Sequence, residues 1–302
     1  MNKLLLIIAL ILSIISINMS STTKSTTHFN NDQIIKVKKD DEINSLKLEE
    51  YIIGVVASEM PASFHIEALK AQAICARTYA LYKMNESNTN YDILASVTNQ
   101  GYINKEEMQK KWLNDYEKYY NKIKEAVLNT KGLVVTYKNN IVPTYYFAMS
   151  NGYTEEAKFV FGENKDYLVS VKSEYDNESL KNFKKTIQLT KDAFCNALAL
   201  NCDILKINNI ERSATHRVIK ITINDKEFKG TKIRELLALR STDFTIAISE
   251  DIIYITTSGY GHGVGMSQYG ANGMANNGYT YDQILKYYYK DIEINKIWSI
   301  NF

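Results

Sequence analysis

Residues 55–80 read VVASEMPASFHIEALKAQAICARTYA. The stretch up to Ala57 is apolar and helical in pattern. Pro61 breaks it, because the residue before a proline avoids the α region. A second helical pattern starts near Ile66. One carboxylate, Glu59, stands at the joint, with Val55, Val56 and Ala57 before it and Met60 after it. Burial penalises the charged form of a carboxyl, so apolar neighbours raise its pKa. Such a group becomes a proton donor near neutral pH. The position also suits a carboxylate that caps the second helix or pairs with a lysine. On the residues alone both readings stay open.

The first helix runs from Leu48 to Ser58 and the second from about Ile66 to Met84. The second places Leu69, Ala73, Ala76 and Ala80 on one stripe, with Ile74 and Cys75 beside it. Arg77 lies on its flank among small residues. Its guanidinium is always charged and grips carboxylates or sugar hydroxyls in fork geometry, which makes it a candidate companion to Glu59. The alternative is a salt bridge.

Upstream, Ile34–Val37 and Ile43–Leu48 read as short strands around an Asp40–Asp41 turn. Residues 20–32, SSTTKSTTHFNND, are a polar stalk. The chain begins MNKLLLIIALILSIISINMSS, an apolar run from Leu4 to Ile17 behind a single Lys3. That length suits a signal-peptide core or an N-terminal membrane anchor, and the lack of a small-x-small cleavage site favours the anchor over residues 1–19. Lys3 keeps the N-terminus inside, which places the rest of the chain outside the cytoplasm.

Downstream, residues 85–104 form a loop and Lys105–Thr130 a polar, aromatic helix. GLVVTYKNNIVPTYYFAMS (132–150) alternates like a hairpin about Asn139–Asn140. Residues 171–253 read as an inserted mixed α/β module between the two parts of a main domain, 33–170 and 254–302. In it, Thr190 is a plausible N-cap for TKDAFCNALALN. The expected fold is therefore α+β, with the helix-break-helix acid site in the main domain and a cleft between it and the module. The C-terminal part is glycine-dense: SGYGHGVGMSQYGANGMANNGYTYDQILKYYY (258–289). Such density means tight turns or close approach of another segment. It lacks the G-K-[ST] of a phosphate loop.

Hydrophobic residues make up 45% of the 302 and charged residues 23%, enough apolar material for a core. A net charge of +2, with no basic stripe, argues against nucleic acid. Tyrosine is abundant at 22, which suits a core or a sugar-binding surface. Cys75, Cys195 and Cys202 give no disulfide framework. In one continuous helix, Cys195 and Cys202 would lie about 10 Å apart at Cα, too far to bridge. His28, His65, His216 and His262 do not cluster with the cysteines at metal-ligand spacing, so no metal and no cofactor are expected.

Two further groups are candidates. Ser150, Asn151, Gly152, Tyr153 and Thr154 form a hydroxyl- and amide-rich turn after Tyr145, Tyr146 and Phe147. This mixture suits a carbohydrate groove, or an ST-type turn closing a hairpin. His262 could serve as an acid or base, or could bond backbone groups within its glycine-rich turn. No serine or cysteine nucleophile pairs with it. Ser267 in GMSQYG lacks the strand-turn-helix setting of a nucleophile elbow.

Taken together, VVASEMP…EALKAQAICARTYAL, FAMSNGYTEEAKFVFG and GYGHGVGMSQYGANGMA resemble the stage II sporulation protein D family, in the family's order and over nearly all of the chain beyond the stalk. The resemblance implies a membrane-anchored lytic transglycosylase that faces the intermembrane space of an engulfing mother cell. Its substrate would be peptidoglycan glycan strands stripped of stem peptides by a partner amidase, within a set of engulfment proteins. It would cleave the β-1,4 bond between N-acetylmuramic acid and N-acetylglucosamine and leave a 1,6-anhydro-muramyl end. The family's catalytic glutamate falls on Glu59. Its ART arginine falls on Arg77. Tyr145, Ser150 to Thr154, His262 and Gln268 would line the substrate cleft. The loop NTNYDILASVTNQGYI (88–103) lacks the His and Cys that bind zinc in some relatives, so no structural zinc is expected. Other relatives of this domain are described as amidase enhancers, which implies a second role, a non-catalytic activator bound to peptidoglycan.

Overall fold

The computed structural model describes residues 32–96, 98–177, 180–201 and 203–299. The N-terminal apolar run and nearly all of the stalk lie outside the described residues. Strands β1 (Ile34–Lys39) and β2 (Glu42–Lys47) form a hairpin across Asp40 and Asp41. Helix α1 (Leu48–Glu59) follows without a linker, and α2 (Ile66–Glu86) begins after the break. His65 caps α2, its side chain accepting the Glu67 amide. Strand β3 (Ile93–Leu94) then adds to β1 in parallel.

A single helix was expected over 105–130. Instead α3 (Lys105–Trp112) and α4 (Tyr116–Asn129) are separated by a short 3-10 turn. Leu113 sits at φ 48° and is 75% exposed, so no burial of its side chain holds the helix together there. Strands β4 (Leu133–Tyr137) and β5 (Asn140–Ile141) form the expected hairpin. Its left-handed residues are Lys138 and Asn139, so the turn falls one residue earlier than the Asn139–Asn140 pair. The two-residue strand β6 (Tyr146–Phe147) and helix α5 (Ala157–Phe161) complete the first part of the main domain.

The inserted module follows. In chain order it contains β7 (Lys184–Thr190), α6 (Lys191–Leu198), β8 (Ile207–Arg212), β9 (Val218–Ile223), β10 (Lys226–Lys229), α7 (Gly230–Leu236), β11 (Phe244–Ser249) and β12 (Ile252–Ser258). Thr190 does cap α6, accepting the Ala193 amide. The sheets run β11-β12-β7 and β10-β9-β8, all antiparallel. Strand β12 pairs with β7 as far as Ser258. The chain then returns through β13 (Met266–Ser267), α8 (Gln268–Asn276), α9 (Tyr281–Tyr288) and β14 (Glu293–Lys296). Strand β13 pairs in parallel with β6, and β14 pairs with β4.

Two separate apolar cores result. One joins α1, α2, α4, α8, α9 and the β4 sheet, with α2 at its centre. The other lies within the module, around Phe194, Ile221, Ile233, Phe244 and Ile255. Thirteen of the 21 residues of α2 are buried, on every side of the helix. Its alanines allow neighbours to approach, while Leu69 and Ile74, both fully buried, each contribute about 1.5–3 kcal/mol.

Cys195 is disulfide-bonded. This corrects the expectation of no disulfide. Helix α6 closes at Leu198, and Ala199 turns left-handed at φ 51°, so the distance along a continuous helix does not apply. Cys75 is free and buried.

Candidate active site

Glu59 is the last residue of α1. The helix ends there because Met60, next to Pro61, turns extended at φ −120°, ψ 140°, while its N–H still bonds the Val56 carbonyl. Val55, Val56, Ala57 and Met60 are buried and anchor the joint. The carboxyl therefore leaves a rigid helix end at a fixed angle. Its Oε1 accepts the Gly101 amide at 2.5 Å. Burial raises the Glu59 pKa, while the Gly101 hydrogen bond and the nearby Lys111 ammonium pull it down less strongly.

Three distant segments supply the surroundings. Lys111 of α3 reaches back to donate to the Ala57 carbonyl at 2.8 Å, which brings its charge next to Glu59. Tyr51 lies two turns earlier on α1, and Tyr146 comes from β6. Both hydroxyls are pushed far up by burial first and by the Glu59 charge second. Gln100 ties the two tyrosines together. Its Oε1 accepts from Tyr51 at 3.2 Å, and its Nε2 donates to Tyr146 at 3.1 Å and to the Ala76 carbonyl at 3.2 Å. The result is one half-buried carboxyl held by a backbone amide, with a cation and two neutral phenols around it. Such a group can give and take back a proton.

Sequence reading missed Tyr51, Gln100, Gly101 and Lys111. The only signal was the NQGY turn, where the glycine is required by space. A Cβ at Gly101 would lie 2.6 Å from Ser58 Oγ and 3.0 Å from Glu59 Oε1. Gly101→Ala is expected to push the carboxyl off its amide and to cost about 1–3 kcal/mol of stability. Thermal unfolding checks the second effect, and the pH titration of the Glu59 carboxyl the first.

Most of the other sequence candidates do not join this group. Arg77 is fully buried. Its Nε and Nη2 grip Glu49 at 2.9 and 2.6 Å, and its Nη1 and Nη2 also donate to the carbonyls of Leu133 and Val127. The expected contact with substrate is thus corrected. Helix α2 is enclosed on all sides, so a residue on its flank points into protein, and Arg77 ties α2 to α1, α4 and β4.

Ser150 and Thr154 are also fully buried. Thr154 Oγ1 bonds the backbone of Val169 and Val171. Ser150 Oγ accepts the Gly152 amide, and Gly152 turns at φ +102°. Asn151 Nδ2 donates to the Thr215 carbonyl and to Asp243 Oδ2, which pins the turn to the module. Except for Asn151 Oδ1, which has no partner among the described residues, these hydroxyls and amides are spent inside the protein, which corrects their expected place along a groove. Tyr153 alone in this turn is exposed.

Gln268 is buried and donates to Gln72 Oε1 at 3.2 Å, so it too is corrected to an internal role. Tyr145 and His262 form an aromatic cluster with Phe147 and Phe161, the Tyr145 and Phe161 ring centroids lying 4.5 Å apart. His262 Nδ1 accepts the Val264 amide at 3.0 Å. Burial and the guanidinium of Arg234 push its pKa down to about 3. The ring is neutral at physiological pH, so its role is to hold the glycine-rich turn rather than to exchange protons.

Comparison with known proteins agrees with this chain's motifs. The family model described as SpoIID, Stage II sporulation protein, matches residues 36–137, which include Glu59 and its surroundings up to Lys111. "Stage II sporulation protein D" of Bacillus subtilis (strain 168) is 43% identical over 263 residues, covering 84% of this chain and 76% of the relative. The protein of the same name from Bacillus amyloliquefaciens is 40% identical over 261 residues, with the same coverage of 84% and 76%. An "Amidase enhancer" of Bacillus subtilis (strain 168) is 28% identical over 291 residues, 78% of this chain and 39% of the relative. With 40–43% identity over 84% of its length to two proteins named Stage II sporulation protein D, the chain belongs to the stage II sporulation protein D family.

Proposed function

We propose that the protein is a lytic transglycosylase of peptidoglycan, acting on peptide-stripped glycan strands during engulfment in spore formation. The observation that carries this reading is the Glu59 carboxyl at the end of α1, with its pKa raised by burial. Among the described residues, the groups besides burial that act most on its charge are the Gly101 amide and Lys111, neither of them a carboxylate. A hydrolysing glycosidase uses two carboxylates, one as the acid and one to deliver water or act as nucleophile. A transglycosylase needs one, because the muramyl 6-hydroxyl is already tethered near the anomeric carbon.

Protonated Glu59 gives its proton to the glycosidic oxygen as the C1–O bond breaks. The 6-hydroxyl oxygen then bonds to C1, and its proton returns to the Glu59 carboxylate. The enzyme ends as it began, and no water is consumed. The Gly101 amide keeps Oε1 in place, which leaves the other oxygen to exchange the proton. Tyr51 and Tyr146, neutral across the working pH range, supply hydroxyl dipoles without competing for the proton.

Mass analysis of products from peptide-free strands tests the reading. Transglycosylation leaves ends one water lighter than hydrolysis does. Products of the hydrolytic mass, or none at all, would sink it.

The 28% identity to a protein named amidase enhancer favours a second role, activation of a cell-wall amidase. The two readings part at Glu59, since activation requires the surface and not the proton. Disulfide-bonded Cys195 supports a place outside the reducing cytoplasm. The apolar run Leu4–Ile17 supports tethering to the membrane. No helix among the described residues is long and apolar enough to cross a membrane.

A further inference from the structure

Three arginines of the module converge on the glycine-rich turn 259–265. Arg240 lies over the Tyr260 ring, its Cζ 4.4 Å from the centroid. Arg234, on α7, acts on Tyr260 and on His262. Arg217 packs against Gly263, where a Cβ would meet its Nε at 2.8 Å. Each of the three has a buried Nε with no hydrogen-bond partner among the described residues. Orphaned donors of this kind are rare, because an unmet buried donor costs about 1–3 kcal/mol.

Arg217, only 3% exposed, is compensated by Glu155, Asp243 and Asp176. It donates to Thr215 Oγ1, which in turn donates to Glu155 Oε2. Arg234 and Arg240 have no such compensation. Among the described residues neither pairs with a carboxylate. Arg240 donates from Nη1 to the Asn182 carbonyl, and Arg234 has no side-chain hydrogen bond among the described residues. His262 adds no positive charge of its own, since it is neutral. Two partly buried guanidiniums thus stand beside Tyr260, which is 48% exposed.

We infer that Arg234, Arg240 and Tyr260 form a binding site for an acidic sugar, with the two guanidiniums on its carboxylate and the tyrosine ring against its pyranose face. Arginine forks match carboxylates, and aromatic rings suit sugar C–H faces. This site rests on the proposed function for the identity of its ligand. In a glycan strand the ionisable sugar is the muramyl unit, whose lactyl carboxylate is free only where no stem peptide is attached. The module would then read the absence of the peptide, while Glu59 performs the cut. The joint is tied to the acid site through β6, since His262 bonds the Tyr146 backbone and the Tyr146 side chain faces Glu59.

The test is equilibrium binding in the Glu59→Gln background, where nothing is cleaved. Two probes of equal length are used, a peptide-free oligosaccharide that contains N-acetylmuramic acid and a chitooligosaccharide that has no carboxylate. The parent protein should bind the first more tightly. Arg234→Gln and Arg240→Gln should each weaken that binding by about 10–100-fold, the worth of a charged hydrogen bond. Chitooligosaccharide affinity and the melting temperature should hold. Arg240→Lys, which keeps the charge but not the fork, should recover part of the loss. Equal losses on both probes, or a parent protein without preference between them, would overturn the site. The transglycosylase reading fails separately, by the absence of anhydro ends from protein with Glu59 intact, and leaves these binding results readable.

Discussion

Glu59→Gln is expected to lower the formation of anhydro-muramyl ends by about 10³-fold or more. One proton-transferring side chain contributes about 10²–10⁴-fold, and in the proposed reaction the same side chain would serve in both halves. Glutamine keeps an oxygen that can accept the Gly101 amide, so the geometry survives while the exchangeable proton is lost. Product analysis, with activation of an amidase as the parallel readout, separates the two roles. Activity that persists in the variant would sink the assignment.

The same substitution carries a stability signature of definite sign. The folded-state pKa of Glu59 lies above its ordinary value, so the fold favours the protonated form. Below the ordinary carboxyl range both folded and unfolded chains are protonated, and Glu59→Gln changes little through this route. As pH rises through the raised value, the wild-type fold loses stability that the glutamine variant keeps. The variant should therefore melt with the wild type near about pH 4 and above it near about pH 8. Turnover should fall over the same window, because the acid must begin protonated. Lys111→Met removes a cation that lowers the Glu59 pKa, so the alkaline limb of the rate profile should move upward.

Arg77→Ala is expected to destabilise the protein by about 3–5 kcal/mol, the usual cost of removing one partner of a buried ion pair. That is a large share of the roughly 5–15 kcal/mol that holds a domain together. The substitution leaves the Glu49 carboxylate without its fork and opens space in the middle of α2's surroundings. Denaturant unfolding measures the loss directly. Activity per folded molecule should be unchanged, because Arg77 does not reach Glu59. A variant that melts normally yet binds glycan poorly would return Arg77 to the substrate cleft. Arg77→Met combined with Glu49→Leu should recover much of the lost stability, since it removes both charges together.

Glu59 was legible because punctuation surrounds it. Pro61 marks the helix end, and the valines before it announce desolvation. Arg77 was misread for a reason visible in the same stretch. Small residues occur on every side of α2 and not only on its stripe, the pattern of a helix enclosed all round, and an arginine there has only protein to bond. The turn at 150–154 shows a different limit. Hydroxyls that line a groove and hydroxyls that satisfy their own backbone have one composition, and only burial tells them apart. Gln100, Gly101 and Lys111 could not be assembled from the sequence, because tertiary packing brings loop and α3 residues 42 and 54 positions away onto the end of α1, and Tyr51, on α1 itself, joins them through Gln100. Strands β7 and β8 carry no sustained apolar alternation and lie largely exposed, so periodicity gave no sign of them.

The parallel pairing of β6 with β13 sets an order of assembly. In order of synthesis the acid-bearing helix comes early. Tyr146, which faces that acid, lies on a two-residue strand whose partner begins only at Met266. The 118 residues between Phe147 and Met266 must emerge first. A polypeptide cut short anywhere in that interval holds Glu59 but lacks the strand that secures its opposite wall. A fragment truncated in that interval lacks the β6–β13 pair and, on the function proposed above, should not cleave glycan strands.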